Sequence, residues 1–370
     1  MLKRTPLFEA HQKLGARLVE FGGWEMPVQY TSITDEHLAV RNAAGIFDIS
    51  HMGEVLASGP GAADFLNRTL TNDIRKLAIG GGQYTLMCNA EGGVIDDLYA
   101  YRLGEEEYLL VINASRIEPD VLWMEGELRG SEFNQNTTLQ NVSDAYGAVA
   151  IQGPKVAGFI DACFQAAPTK LKKNQLTVGS FEGATLWIGR TGYTGEDGFE
   201  VIAPAEKIAA VWNRALEVGA SHGLKPAGLG ARDTLRTEVC YPLYGHELDE
   251  NTTPIEAGLA RFVSFDKGFF TGSNRLAEQK ANGVKKTLIA FKMTDKSAPP
   301  RPHYPIWSTD GLNVIGEVVS GTQSPSMNLG VGLGYVPPEN AQVGANVQIE
   351  IRARKSPALI VPKPIFRKAS

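Results

Sequence analysis

The chain has 370 residues, 43% of them hydrophobic and 21% charged, as in a globular protein with room for two or three domains. Its formal net charge of −5 gives no general reason to expect nucleic-acid binding, and no stretch approaches the ~18 apolar residues of a membrane span. Three cysteines without Cys-x-x-Cys spacing disfavour a disulfide framework or a zinc site. We therefore expect a cytoplasmic protein without a bound metal, because the N-terminus also has no apolar signal segment.

A first strand-and-helix segment begins near residue 55. A short apolar strand leads into Gly59-Pro60, and proline in the first turn favours a helix from there through Leu70. Ser115 and Glu118 form a capping box that predicts the start of a second helix, running to about Leu128. Between the two helices, the apolar pattern predicts strands at 84–89, 94–103 and 108–113.

A second segment repeats this order. An apolar strand at 148–152 leads into Gly153-Pro154 and a predicted helix through Phe164, and two further strands are predicted at 185–189 and 199–203. A helix over 205–218 follows, with Gly219 as its stop. Its apolar face contains Ile208, Val211, Trp212 and Ala215. Two such modules predict antiparallel sheets covered by helices, an α+β fold.

The pattern of apolar and turn-forming residues changes near Lys285. Short apolar runs between Gly, Pro and Asn turns predict an all-β barrel or sandwich, with strands at 286–293, 314–320, 330–336 and 346–351. The last nineteen residues are basic, and their cations either form a solvated surface or attract a carboxylate-rich ligand or protein. These cations are Arg352, Arg354, Lys355, Lys363, Arg367 and Lys368.

Two adjacent aspartates lie in the predicted strand 94–103. Asp96 and Asp97 must point to opposite faces, and Asp97 shares its face with Tyr99 and Tyr101. A carboxylate among such neighbours needs a partner, which makes Asp97 a candidate functional residue. The spacing alone leaves the alternative that both aspartates simply solvate the end of a hairpin.

Glu200 lies in the centre of a second apolar strand. A carboxylate there is suited to accept two parallel N–H donors from a flat heterocycle such as a pterin or a guanine. The alternatives are a salt bridge or an exposed edge position. Tyr193, between glycines in the preceding turn, is suited either to stack on a ring or to cap the turn.

Arg232 follows the glycine-rich segment 228–231 and is expected to open a helix over 233–239. An arginine at a helix start is suited to bind a carboxylate, or to pair with Asp233 or Glu238. The segment matches only part of a G-x-G-x-x-G fingerprint, so we do not expect a dinucleotide site.

The proximity of Asp48, Ser50 and His51 does not predict a hydrolytic triad, because neighbours on a strand point apart and no G-x-S-x-G elbow exists. His246-Glu247 lacks the second histidine of a zinc protease motif. The histidines therefore predict neither a triad nor a metal site.

Several segments together resemble the glycine cleavage T-protein family, the folate-dependent aminomethyltransferases. They are RTPLF at 4–8, FGGWEMP at 21–27, FDISHMGE at 47–54, RTGYTGEDGFE at 190–200 and GLGARD at 228–233. The resemblance implies three domains in a cloverleaf, two related α+β modules and a C-terminal all-β barrel. We expect these domains at 1–50 with 140–280, at 51–139, and at 281–370.

The resemblance also implies residue roles. The family's catalytic aspartate falls on Asp97, in agreement with the strand-face argument, and its pterin-binding glutamate falls on Glu200. Its ligand-binding arginine falls on Arg232. Four further positions that line the folate pocket match Met52, Tyr84, Asn113 and Tyr193.

The implied reaction takes an aminomethyl group from the lipoyl arm of H protein and passes its one-carbon unit to tetrahydrofolate. Ammonia, 5,10-methylenetetrahydrofolate and dihydrolipoyl H protein result, and no metal is needed. Two alternatives share the fold: a folate-dependent demethylase of small amines or sulfonium compounds, and a non-catalytic folate-binding protein of iron–sulfur cluster maintenance. The second would carry an exposed reactive cysteine motif, which the sequence around Cys240 does not show.

Overall fold

The computed structural model describes residues 2–368. Within this range the helices are α1 Phe8–Lys13, α2 Ile33–Asn42, α3 Ala62–Thr69, α4 Ile117–Arg129, α5 Ile160–Cys163, α6 Ile208–Gly219, α7 Leu229–Glu238 and α8 Ser273–Asn282. The strands up to residue 152 are β1 Arg17–Phe21, β2 Trp24–Gln29, β3 Ala44–Asp48, β4 Gly53–Ser58, β5 Gly82–Cys88, β6 Val94–Arg102, β7 Glu107–Ile112, β8 Thr138–Asn141 and β9 Tyr146–Gln152. The later strands are β10 Leu176–Phe181, β11 Ala184–Gly189, β12 Gly198–Pro204, β13 Leu224–Pro226, β14 Thr287–Met293, β15 Pro305–Trp307, β16 Val314–Ser324, β17 Leu329–Val336, β18 Asn346–Ile351 and β19 Arg354–Val361.

The chain folds into two compact units. The first contains Met1–Thr85 and Asp97–Arg232, and the second contains Leu86–Asp96 and Asp233–Ser370. The chain therefore passes from one unit to the other at three points, which lie within β5, within β6 and within α7.

Two sheets and a hairpin organise the first unit. One sheet has the order β10-β11-β12-β9-β3-β13, and its pairs are antiparallel except for β13 with β3. The other has the order β5-β6-β7-β4-β8, with antiparallel pairing at each junction from β6 to β8. The hairpin is β1 with β2. The strands of these sheets are almost all antiparallel and are accompanied by helices, which confirms the predicted α+β class.

Helix α6 shows why one of the predicted helices forms. The four residues of its predicted apolar face, Ile208, Val211, Trp212 and Ala215, are all buried in the core of the six-stranded sheet. Their spacing of three and four residues gives the helix one continuous apolar stripe, and burying that stripe stabilises it. The helix begins at Ile208, three residues later than predicted, because residues 205–207 form a turn.

Three further predicted helix starts were wrong. The helix after Gly59 begins at Ala62, and the one after Gly153 is reduced to a 3₁₀ turn, Val156–Gly158, and the four-residue α5. The capping box is absent as well: Ser115 lies inside a 3₁₀ turn that continues into α4, and the N-cap position makes no side-chain hydrogen bond. A capping serine needs an extended backbone, which Ser115 does not have inside that turn.

The second unit contains a closed barrel of six strands in the order β14-β17-β16-β15-β18-β19, all antiparallel. The barrel confirms the predicted C-terminal all-β region and decides between barrel and sandwich. Buried aliphatic side chains and one aromatic fill it, among them Ile289, Phe291, Ile306, Val318 and Ile349. Over the described residues, no helix is both long enough and apolar enough to cross a membrane.

Candidate functional site

Asp97 lies on β6 with its carboxylate fixed by two donors. The Tyr84 hydroxyl donates to Asp97 Oδ2 at 2.8 Å, and Asn113 Nδ2 donates to Asp97 Oδ1 at 3.0 Å and to the Asp97 carbonyl at 2.9 Å. Asp97 is half-buried, whereas Asp96 on the opposite face is fully buried. Neither aspartate is exposed, so the pair does not simply solvate a hairpin end.

The strand register explains why these residues lie together. Val111 of β7 pairs with Tyr99 of β6, and the next strand, β4, begins with Gly53 opposite Ile112. Asn113 directly follows β7 and is therefore level with Asp97, two residues before Tyr99. Met52 directly precedes β4, which puts it beside Asn113 in the register. Met52, Asn113 and Asp97 are all half-buried.

Two tyrosines continue the Asp97 face of β6. Tyr99 and Tyr101 have ring centroids 4.9 Å apart, and Tyr101 lies about 13 Å along the strand from Asp97 at ~3.3 Å per residue. Burial raises the pKa of Tyr101, and the negative charge of Glu200 adds to that rise, while a hydrogen bond with Thr191 opposes it. The face therefore leads from Asp97 on β6 to Glu200 on β12.

Glu200 is half-buried in β12, between Ala150 of β9 and Gly189 of β11. Burial raises the pKa of its carboxyl, and the positive charge of Arg232 opposes that rise. Among residues 2–368 no side chain or backbone N–H donates to the Glu200 carboxylate. Its oxygens are available to a ligand that brings its own donors.

Arg232 and Tyr193 also lie together. The guanidinium carbon of Arg232 is 4.5 Å from the centroid of the Tyr193 ring, which is a cation–π contact. All seven residues implied by the resemblance, Met52, Tyr84, Asp97, Asn113, Tyr193, Glu200 and Arg232, belong to the first unit. Within it, the structure joins Asp97, Tyr84 and Asn113 by hydrogen bonds, and Glu200, Arg232 and Tyr193 by charge and ring contacts.

The prediction that Arg232 opens its helix was wrong. Helix α7 begins at Leu229, so Arg232 lies inside the first turn. The carboxylate of Glu36, on α2, accepts a hydrogen bond from the Gly228 N–H at 2.8 Å and so supports the helix start from a distance. A side chain added at Gly228 would also meet the Val28 backbone at 2.5 Å, so this glycine serves close packing.

Asp48 and His51 are both buried, and Asp48 is bound by residues of the N-terminal segment. The Asp48 carboxylate is buried and accepts from Thr5 at 2.6 Å, with His11 at 2.8 Å from the same oxygen. His51 is buried, and burial lowers its pKa to about 4. The absence of a hydrolytic triad is thus explained, because Asp48 is occupied by residues other than His51.

Sequence reasoning missed two features of this region. The first is the approach of the Tyr101 side chain to Gly189, Thr191 and Glu200, which lie far away in sequence and leave no local signal. The second is Glu54, a fully buried glutamate in β4. Its signal was a charge within the apolar run GEVLA, and no role was assigned to it. In the described part of the chain, no group of three or more His, Cys, Asp or Glu side chains is placed to hold a metal ion.

Comparisons with known proteins agree along the whole chain. The model of the GCVT N-terminal domain matches residues 7–267, and that of the glycine cleavage T-protein C-terminal barrel domain matches residues 286–367. Aminomethyltransferases of Bacillus cereus and Bacillus mycoides are each 46% identical over 373 residues, covering 100% of this chain and 99% of theirs. The crystal structure of glycine cleavage system aminomethyltransferase T from Bartonella henselae is 33% identical, with a TM-score of 0.92 over 99% of this chain and 98% of that one. The chain therefore belongs to the glycine cleavage T-protein family of aminomethyltransferases.

Proposed function

We propose that this enzyme transfers the one-carbon unit of an aminomethyl group from the lipoyl arm of H protein to tetrahydrofolate. The products are ammonia, 5,10-methylenetetrahydrofolate and dihydrolipoyl H protein. The observation that carries the proposal is the Asp97 carboxylate, which Tyr84 and Asn113 hold on the sheet face that leads to Glu200.

The residues around Glu200 fit a folate. A half-buried carboxylate without a donor is suited to the paired N–H edge of a pterin, because two parallel charge-assisted bonds form at once. The Tyr193 ring, with Arg232 over it, offers an aromatic surface and a cation beside that anchor. Tetrahydrofolate supplies the nucleophilic nitrogens that accept the one-carbon unit.

Asp97 stabilises the positive charge that develops on the one-carbon unit as ammonia leaves. Its two donors favour the ionised carboxylate and fix its direction before the reaction. A fixed negative group needs no reorganisation at the moment of reaction, and therefore stabilises the charge better than mobile water does. The same carboxylate can also accept a proton from a nitrogen atom of a reactant.

Purified protein incubated with aminomethylated H protein tests the proposal. Ammonia release should depend on both H protein and tetrahydrofolate, and methylenetetrahydrofolate should accumulate in equal amount. Activity with small methylamines or sulfonium compounds, without activity on H protein, would instead support the demethylase alternative.

The iron–sulfur maintenance alternative finds no support in Cys240. Burial raises the pKa of this half-buried thiol to about 11, so at neutral pH it is a thiol and not a reactive thiolate. We also propose a cytoplasmic location, which three cysteines without a disulfide among the described residues support.

A further inference from the structure

Glu54 is a buried acidic side chain on the sheet face that carries Asp97. In the strand register Glu54 lies opposite Val111, and Val111 lies opposite Tyr99. Residues directly opposite each other in antiparallel strands point to the same face, as do residues two apart along one strand. Glu54 therefore faces the same side of the sheet as Tyr99 and Asp97, two strands or about 10 Å from β6.

The carboxyl group of Glu54 has no partner within residues 2–368. The side chain is 1% exposed, and neither carboxyl oxygen makes a hydrogen bond there. Its backbone, by contrast, is engaged: the Glu54 N–H donates to Ser143 Oγ at 3.0 Å, and its carbonyl accepts from the Val142 N–H at 2.9 Å. Buried polar groups are normally satisfied, so this one points to a partner that comes from outside the chain.

Burial raises the pKa of the Glu54 carboxyl to about 8, so that it carries its proton at neutral pH. The titratable and charged residues on the strands beside it and on the adjoining segments are Asp96, Asp97, Tyr99, Tyr101 and Arg102 of β6, Glu107 and Tyr108 of β7, His51 and Asp144. None of them accounts for the rise, which burial alone produces.

The two carboxyl groups of this face have different surroundings. Asp97 accepts hydrogen bonds from Tyr84 and Asn113, which favours the ionised form, whereas Glu54 has no donor and is desolvated, which favours the protonated form. Two carboxyl groups whose surroundings separate their protonation states typically divide the acid and the electrostatic roles of one site.

We propose that Glu54 is the proton donor of the site and protonates the amine nitrogen that leaves the one-carbon unit. The inference rests on the proposed transfer reaction. The Oε–H bond of Glu54 breaks as a new N–H bond forms, and the carbon–nitrogen bond breaks with its electron pair on nitrogen, which leaves as ammonia. The carbon receives an electron pair from a folate nitrogen, and the proton which that nitrogen then loses returns to Glu54. The second folate nitrogen then displaces the lipoyl sulfur: the carbon–sulfur bond breaks with its electron pair on sulfur, and the proton that this nitrogen loses ends on sulfur as the dihydrolipoyl thiol. No net proton is gained or lost by the enzyme over the cycle.

The position of Glu54 is compatible with this transfer. Val111, directly opposite, and Met52, two residues earlier, are both half-exposed, so the carboxyl lies at the border of the accessible surface. Opposite side chains begin about 5 Å apart. A glutamate has three side-chain torsions, and the proposed transfer uses a rotation about them that carries the carboxyl towards a reactant seated against Met52 and Val111.

Glu54→Gln tests the role, because it keeps the shape and the hydrogen-bonding capacity of the side chain but has no acidic proton. In single-turnover assays with aminomethylated H protein, we expect the rate of ammonia release to fall about 10²-fold or more. The dissociation constant of tetrahydrofolate should stay unchanged, and Glu54→Asp, which keeps an acid, should recover part of the rate. The control Glu107→Gln makes the same exchange at an exposed position of the neighbouring β7 and should match the wild type.

A second readout does not depend on the reaction. Infrared spectroscopy of the wild type should show the band of a protonated carboxyl that disappears as the pH rises through about 8, and Glu54→Gln should lack it. An inactive wild type would refute the transfer function, while the infrared band would still decide the state of Glu54. A missing band, a fully active Glu54→Gln variant, or a loss of folate affinity equal to the loss of rate would each overturn the proton-donor role.

Discussion

Asp97 and Asp96 differ in what their side chains contact, and their substitutions should differ accordingly. Asp97→Asn removes a charge that two donors hold towards the site, and we expect the transfer rate to fall about 10²–10³-fold. Asp96→Asn, on the buried opposite face, should reduce the rate less. Stopped-flow transfer assays at saturating folate measure both, and full activity of Asp97→Asn would falsify its catalytic assignment.

Substitution of Glu200 should affect the binding of tetrahydrofolate more than the rate of the transfer reaction. Glu200→Gln removes one charge-assisted paired contact, which should weaken tetrahydrofolate binding by roughly 1.5–3 kcal/mol. The transfer rate at saturating folate should change less. Calorimetric titration measures the affinity, and an unchanged dissociation constant would contradict the role of Glu200 as the pterin anchor.

The buried carboxyl of Glu54 should also affect stability. Its pKa is about 8 in the folded protein against an ordinary 4.5, so the folded state keeps a proton that the unfolded state loses. The free energy of unfolding should therefore fall as the pH rises from about 4.5 to 8. Above pH 8 the Glu54 carboxyl should cause no further change. The contribution amounts to roughly 3–5 kcal/mol at most.

Thermal unfolding of the wild type and of Glu54→Gln should reveal this contribution. The difference in Tm between the two should shift in favour of the variant between pH 5 and pH 8, because glutamine does not titrate. A difference in Tm that stays constant over this range would show that the Glu54 carboxyl is not held protonated by folding.

At the scale of elements, the start of α7 depends on a residue far away in sequence. The Glu36 carboxylate accepts hydrogen bonds from the backbone N–H groups of Tyr30, Thr31 and Gly228. Glu36→Ala leaves these donors unpaired, the buried Gly228 N–H among them, and should cost about 2–5 kcal/mol of stability together with folate affinity, since α7 carries Arg232.

Ser32→Ala is the matched control for Glu36→Ala. Ser32 caps α2 by accepting from the Asp35 N–H at 3.1 Å, and its loss should cost only about 1 kcal/mol. Denaturant unfolding and folate titration of both variants measure the effects. Equal losses of folate affinity in the two variants would contradict a special link between Glu36 and α7.

These elements also show what the sequence can predict. The apolar face of α6 and the opposed faces of Asp96 and Asp97 follow from the periods of helix and strand, which are local properties. The start of α7 does not, because its supporting carboxylate lies 192 residues away. Likewise the family resemblance named Tyr84 and Asn113 as residues that line the folate pocket, but their hydrogen bonds to Asp97 were not predicted, since no spacing rule brings the two residues to one carboxylate.

For the whole molecule, four of the six barrel strands were predicted and two were missed. β15 is three residues long and contains a proline, and β19 begins with Arg354 and Lys355, so neither has the apolar alternation of a typical strand. Closure of the barrel is a pairing between distant strands and is invisible in a local pattern. The division into three domains, at 1–50 with 140–280, 51–139 and 281–370, stays a prediction.

The basic C-terminal stretch supports a prediction about encounter rates. Its described cations Arg352, Arg354, Lys355, Arg367 and Lys368 are all exposed, in a protein of net charge −5. Lys363 is set apart from them, because burial lowers the pKa of its ammonium group. If they attract the glutamyl tail of folate or acidic patches of H protein, reversing their charge should raise the KM for those reactants with little change in kcat. Such steering is screened over about 8 Å at physiological salt, so the dependence on salt should also flatten.

Steady-state kinetics over a series of salt concentrations check this expectation. Exchange of an equal number of exposed lysines elsewhere for glutamate controls for net charge. Identical KM values and identical salt slopes in the tail variant and the wild type would leave the stretch with only a solubilising role.

Three candidate-site residues lie, along the sequence, next to the points at which the chain passes from one unit to the other. Tyr84 is one residue before the first passage, Asp97 is the first residue after the second, and Arg232 is the last residue before the third. A cut at any of these boundaries would sever β5, β6 or α7 in its middle. We therefore expect a fragment that ends at one of these boundaries to lose activity, and a split version that regains activity on reassembly should be divided in a loop instead.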